Sequence, residues 1–243
     1  MNNNKSKNLL KLTVLAMLVA LGVIISPILR VEGMCPMAHF INITCSVLLG
    51  PWYSLVCALT IGIIRMAVMG IPPLALTGAI FGAFLSGVFY RFSKGNLLFA
   101  VLGEIIGTGI IGAIISYPVM SLIWGKDGIS LFFYVPSFIC GTLIGGSIAF
   151  AFLHKLAKTG ALKKFQSLLG SRIFETHENL LGNTISIGAL GVIGFVFVGV
   201  LASLLNATSP VWKYAEYSII AVFVVVAVGY YVINKVKETK NVN

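Results

Sequence analysis

The chain has 243 residues, 58% of them hydrophobic and only 10% charged, with a formal net charge of +10 and a mean hydropathy of +1.00. A soluble domain cannot hide that much apolar surface, so the lipid bilayer is its natural solvent. The apolar runs do not alternate polar and apolar residues, which argues against a transmembrane β-barrel. Basic residues sit at the edges of those runs rather than in one polar patch, which argues against a nucleic-acid partner.

In chain order, a short basic start (Lys5, Lys7) precedes a first apolar segment over Leu9–Ile28. No small-residue cleavage site follows it, so it reads as a retained membrane helix rather than a signal peptide. A polar connection, Leu29 to Ala38, leads to a second segment over His39–Gly50. That segment is short for a full crossing and is expected to be tilted or packed inside a bundle. Pro51 starts a third segment, Trp52–Met69, and Pro72-Pro73 separates it from a fourth, Leu74–Phe92. The fifth covers Leu97–Trp124 and the sixth Ser130–Leu156, with the turn signal Gly125-Lys126-Asp127-Gly128 between them. From Ala157 to Leu181 the chain turns polar and charged, as in a linker or an amphipathic interfacial helix. Two more apolar runs, Asn183–Leu205 and Tyr214–Ile233, precede a basic tail.

The expected fold is therefore an all-α polytopic membrane protein. Residues 1–156 form a six-helix module, 157–182 a cytoplasmic linker and 183–243 an additional pair of membrane helices. With the N-terminus inside, thirteen Lys and Arg lie on the inner side (5, 7, 11, 91, 94, 155, 158, 163, 164, 172, 235, 237 and 240). Only Arg30, Lys126 and Lys213 lie outside, and this bias places both termini in the cytoplasm of a cell-membrane protein. Arg65 remains, inside the third segment.

Polar side chains within membrane segments are costly and each needs a partner, water or a ligand. His39 and Asn42 stand three apart on one face of the second segment. In this topology they lie in the outer half together with Arg65, Thr77, Tyr117, Tyr134 and Ser137, below the connection that carries Arg30, Glu32 and Cys35. Such a layout predicts a pocket open to the outside and lidded by that loop. It suits a small, neutral or weakly charged aromatic molecule. Glu104 lies closer to the cytoplasmic end of the fifth segment and is the least comfortable member of this set. Blander readings stand beside these: Arg65 snorkelling to headgroups, the tyrosines in an interfacial belt, and Glu104 as a structural hydrogen-bond partner.

Small residues form a second pattern. Ala16 and Ala20 share one face of the first helix, and Gly103, Gly107, Gly109 and Ala113 give the fifth helix notches for close approach. The four cysteines, Cys35, Cys45, Cys57 and Cys140, form no CxxC pair and read as free thiols. Cys35 and His39 have metal-like spacing but lack a second ligand pair, so no metal or cofactor is expected. The chain has no P-loop, nucleophile elbow or HExxH, and so carries no ATPase of its own.

Several segments, taken in order, resemble the membrane-embedded substrate-binding subunit (S component) of energy-coupling-factor (ECF) importers, and within them the ThiW family. They are His39-Phe-Ile-Asn42, Leu48-Leu-Gly-Pro-Trp-Tyr53, Gly62-Ile-Ile-Arg65 and Thr77-Gly-Ala-Ile-Phe-Gly-Ala83. Gly103-Glu-Ile-Ile-Gly-Thr-Gly109, Ser116-Tyr-Pro-Val119 and Phe132-Phe-Tyr-Val-Pro-Ser137 complete the series. The resemblance implies six helices, an outer-face ligand pocket and a lid in the first loop. It implies the thiamin precursor 4-methyl-5-hydroxyethylthiazole as substrate. It further implies docking through Ala16-x-x-x-Ala20 onto a transmembrane coupling subunit served by two cytoplasmic ATPases. Residues beyond about 156 depart from that pattern.

Two other function classes compete. One is a self-sufficient secondary transporter with Glu104 as a proton-linked carboxylate and Arg65 as its partner, disfavoured by the lack of a second buried carboxylate. The other is an intramembrane enzyme using His39 and Glu104, disfavoured because the two residues are expected at different depths.

Overall fold

A computed structural model describes residues 2–28, 30, 34–174 and 180–242, the side chains of 2–4, 238 and 240–242 excepted. The described residues form nine helices: α1 (Asn2–Ile25), α2 (Pro36–Leu49), α3 (Pro51–Met69), α4 (Leu74–Phe92), α5 (Leu97–Ile123), α6 (Val135–Lys158), α7 (Ala161–Leu168), α8 (Leu180–Leu204) and α9 (Val211–Val242). Seven of the nine are long and apolar enough to cross a membrane. The exceptions are α2 and α7. The chain is an all-α polytopic membrane protein.

It divides into two compact units, Met1–Thr176 and His177–Asn243. In the first, α2 is the central element. It touches α1, α3, α4, α5, α6 and α7, and all but three of its 14 residues are buried. At 1.5 Å per residue it is only ~21 Å long, less than the ~30 Å hydrocarbon core. Its shortness is resolved by packing inside the bundle. Leu15 and Leu18 of α1 join Ile41, Cys45 and Leu49 of α2 and Cys57 and Ile61 of α3 in one apolar cluster. Between α2 and α3 the chain reverses at Gly50, whose φ of +98° favours glycine, and a Cβ there would strike the Arg91 guanidinium.

Helices α4 and α5 approach until their backbones touch. A Cβ at Gly107 would lie 2.6 Å from the Cα of Gly82, and one at Gly103 only 2.5 Å from the Leu85 carbonyl oxygen. The small residues of α5 thus serve close packing within the chain. Helix α5 is not a uniform α-helix. It turns π-helical over Ile105–Gly112 and again over Val119–Ile123, just after Pro118. Proline removes a backbone donor, which accounts for the second widening, and π turns recur at functional sites. The charged stretch after α6 begins with α7, which buries Leu162 and Gln166 within the first unit. Gln166 donates to the Val47 carbonyl at 3.0 Å and to the Tyr90 hydroxyl at 3.2 Å, satisfying one of the open carbonyls at the end of α2.

The second unit is a helical hairpin of α8 and α9. Gly191 and Gly194 of α8 admit Phe223 and Ile219 of α9, and Asn183 donates to the Tyr230 hydroxyl at 3.0 Å.

Candidate functional site

The buried polar residues of the first unit converge on one carboxylate. Glu104 ends the first α-helical stretch of α5 and is fully buried. Its Oε1 accepts from Asn42 Nδ2 at 3.0 Å and from the Thr108 hydroxyl at 3.1 Å, and lies 2.8 Å from His39 Nδ1. With Nδ1 donating to the carboxylate, Nε2 is the ring nitrogen not engaged by Glu104. Oε2 is equally buried and has no partner among the described residues. Buried polar atoms are nearly always satisfied, so this acceptor marks a place for water or a ligand donor. Gly82 makes room for the cluster, since a Cβ there would meet the Glu104 carboxyl carbon at 2.8 Å.

The sequence expectation that His39 and Glu104 lie at different depths is corrected by this contact. It placed His39 in the outer half of the membrane and Glu104 near the cytoplasmic end of its segment. Because α2 is short and internal, its first turn falls where α5 carries Glu104. The pairing of Glu104 with Arg65 supposed for a secondary transporter is also not formed, since Glu104 takes its partners from α2 and α5.

Beside this cluster lies a cavity of about 410 Å³, walled by the α1–α2 connection, the α3–α4 turn and helices α2 to α6. His39 and Thr108 present the polar cluster to it. Arg65 lines it from α3, Ala75 and Gly78 from α4, and Phe138 from α6. Arg30, Met34 and Cys35 line it from the α1–α2 connection, whose Glu32 lies outside the described residues. The Cys35 thiol donates to the Ser26 carbonyl at 3.0 Å, tying that connection to the end of α1. Among the described residues, no three His, Cys, Asp or Glu side chains come together as a metal set.

The structure therefore brings His39, Asn42 and Glu104 into one cluster, with Arg65 on the wall of the adjoining cavity. The other expected site residues lie elsewhere. Thr77 bonds the Ser116 hydroxyl at 2.7 Å, and because Ser116 gives its proton to the Gly112 carbonyl, Thr77 is the donor. Ser137 donates to the Tyr134 carbonyl within the first turn of α6. Tyr134 is buried against Phe133 and Phe138, with ring centroids at 5.0 and 5.8 Å. Tyr117 is half-buried, and neither tyrosine lines the cavity. Phe138, one turn beyond Tyr134, supplies the aromatic wall instead. Thr108 was not anticipated, although its i,i+4 spacing from Glu104 was visible in the sequence.

The model of the thiamine-precursor transporter protein family ThiW matches residues 12–159. The chain belongs to the ThiW family. The match begins inside α1 and ends one residue past α6, so it encloses the cluster and the cavity and leaves out α7 and the second unit. No curated protein and no solved structure matches the chain. Membership in a transporter family, together with seven helices able to cross a bilayer, makes this ThiW chain a multi-pass membrane transport protein acting on a small molecule.

On its outer surface, α1 exposes Ala16 and Ala20. They line a shallow apolar groove with Leu12, Val19 and Val23 of α1 and Thr60 and Ile64 of α3.

Proposed function

We propose that this ThiW chain is the substrate-capturing subunit of an ECF-type importer for the thiazole precursor of thiamin, 4-methyl-5-hydroxyethylthiazole. The observation that carries the reading is the 410 Å³ cavity, of small-molecule size, with an aromatic wall at Phe138 and the His39–Asn42–Glu104 cluster at its edge. A small heteroaromatic ring fits against Phe138 and the apolar face of α4. Its hydroxyl finds donors and acceptors at His39 and Thr108, with Asn42 and Glu104 behind them fixing the imidazole. Arg65 supplies the cationic wall. Thr77, Tyr117, Tyr134 and Ser137 act, in this reading, by shaping the surrounding helices rather than by touching the ligand.

The sequence contains no nucleotide-binding loop, so in this reading the ATP-driven step belongs to partners. A transmembrane coupling subunit docks on the exposed Ala16 and Ala20 face of α1, and two cytoplasmic ATPases drive the cycle. The bias of thirteen inner against three outer basic residues supports a topology with both termini on the cytoplasmic side of the cell membrane. Residues 1–156 then form the capture module, 157–182 the cytoplasmic connection and 183–243 an added membrane hairpin. The test is calorimetric titration of the thiazole alcohol, with thiamin as control, into the purified full chain. Saturable binding of the alcohol is expected. Tight binding of thiamin without binding of the alcohol would overturn the substrate assignment.

A further inference from the structure

Arg65 is a membrane-embedded cation with no counter-charge among the described residues. It sits on α3 one turn before Met69, yet only 4% of its surface is exposed, so it does not snorkel to the headgroups. It lines the cavity, its Nε is buried without an acceptor, and no carboxylate among the described residues pairs with it. Arg30 lines the same cavity from the α1–α2 connection. No Asp or Glu does so among the described residues, and Glu104 stands behind the wall with its Oε1 taken by His39, Asn42 and Thr108.

A buried guanidinium without an anion is among the costliest arrangements in a protein. Helix α3 carries that arrangement where the cavity opens beside it. A neutral alcohol offers Arg65 only weak acceptors, whereas a phosphate or carboxylate offers charge-assisted bonds of about twice the strength. The guanidinium fork also suits such planar or tetrahedral oxyanions.

Resting on the reading that this cavity is the substrate site, we propose that it selects ligands bearing an anionic group held by Arg65, so that the phosphate monoester of the thiazole alcohol is bound in preference to the alcohol. The aromatic ring then lies toward Phe138 and the oxyanion toward Arg65, with Arg30 adding positive potential at the entrance.

The experiment is calorimetric titration of the full chain in lipid nanodiscs with the thiazole alcohol, its phosphate monoester and inorganic phosphate. Wild type is compared with Arg65→Gln and Arg65→Lys. The ester is expected to bind about tenfold more tightly than the alcohol, a difference of one charge-assisted contact. Arg65→Gln should bring ester and alcohol to within about threefold of each other, and Arg65→Lys should retain part of the preference. Equal or tighter binding of the alcohol by wild type, or a preference that survives in Arg65→Gln, overturns the proposal and leaves the capture reading standing. Arg65-dependent binding of inorganic phosphate with no binding of either thiazole supports the anion site and removes the thiazole assignment. Binding of none of the three removes both.

Discussion

Helices α1 and α2 follow one another in the chain and are both apolar, yet they occupy opposite environments. Helix α1 has 24 residues, and only 11% of its most apolar stretch is buried within the protein. Its lysines and asparagines are confined to its first half, and its second half is aliphatic apart from small residues. Helix α2 has 14 residues, is nearly all buried, and carries His39, Asn42, Thr44 and Ser46 inside. Three of these polar side chains are answered by other helices: Glu104 answers His39 and Asn42, and Ser86 donates to Ser46 at 2.8 Å, since Ser46 gives its own proton to the Ile43 carbonyl. Most of the apolar stretch of α1 faces outward, where a polar side chain would meet lipid. Neighbouring apolar helices therefore serve two roles, a binding interior and an outward face left smooth for lipid or a partner.

The largest expected effect comes from the interior. Glu104→Leu leaves His39, Asn42 and Thr108 without their shared acceptor and should destabilise the chain by about 3–5 kcal/mol. Glu104→Gln keeps an acceptor oxygen and should cost far less. Thermal unfolding in detergent measures both, and a wild-type melting temperature for Glu104→Leu would show that the cluster holds nothing together.

The exterior should respond in transport rather than stability. Ala16→Trp fills the smooth face of α1 and should reduce uptake in cells by roughly tenfold or more by blocking close helix approach. Ligand affinity of the purified chain should not change. Uptake at the wild-type level would mean that this face is not the docking surface.

Two glycines sharpen the contrast between filled and open positions. Gly107→Ala drives a methyl into Gly82 and should cost about 1–3 kcal/mol by overpacking. Gly188→Ala in α8 meets nothing within 4 Å and should be neutral, or stabilising by up to about 1 kcal/mol. Equal effects in a chemical-denaturation series would contradict the described α4–α5 contact.

The smallest effects concern the ligand. Asn42→Leu loosens the imidazole and should weaken binding by about two- to tenfold, the worth of one hydrogen bond. Tyr117→Ala, off the cavity, should leave affinity within about twofold. A larger loss at Tyr117 than at Asn42 would return the pocket to the outer end of α5.

Much of this was legible in the sequence, and the illegible part has a physical cause. The bounds of α4 follow from Pro72-Pro73 before it and the turn Ser93-Lys94-Gly95 after it. The start of α6 was expected at Ser130, but residues 131–134 form turns, and Pro136 in the first turn carried the true signal. His39, Asn42, Arg65 and Glu104 were conspicuous as polar residues in apolar helices. A common pocket for His39, Asn42 and Arg65 was expected; the contact of Glu104 with His39 was not, because the two were placed at different depths. The tyrosines illustrate a second cause. Expecting Tyr117 at the pocket assumes one helical phase along α5, and the π turns after Glu104 shift that phase. Thr108, one turn from Glu104, was within reach of the i,i+4 rule.

The central claim is that ligand occupies the space between Phe138, His39 and Arg65. The most direct test fills that space without touching the polar cluster. Ala75 lines the cavity from α4 and makes no side-chain hydrogen bond. Calorimetric titration of the thiazole alcohol and its phosphate ester into wild type and Ala75→Trp should show binding weakened by about a hundredfold or more in the variant, with the melting temperature retained. Affinity for both compounds within about threefold of wild type would place the ligand elsewhere and contradict the claim.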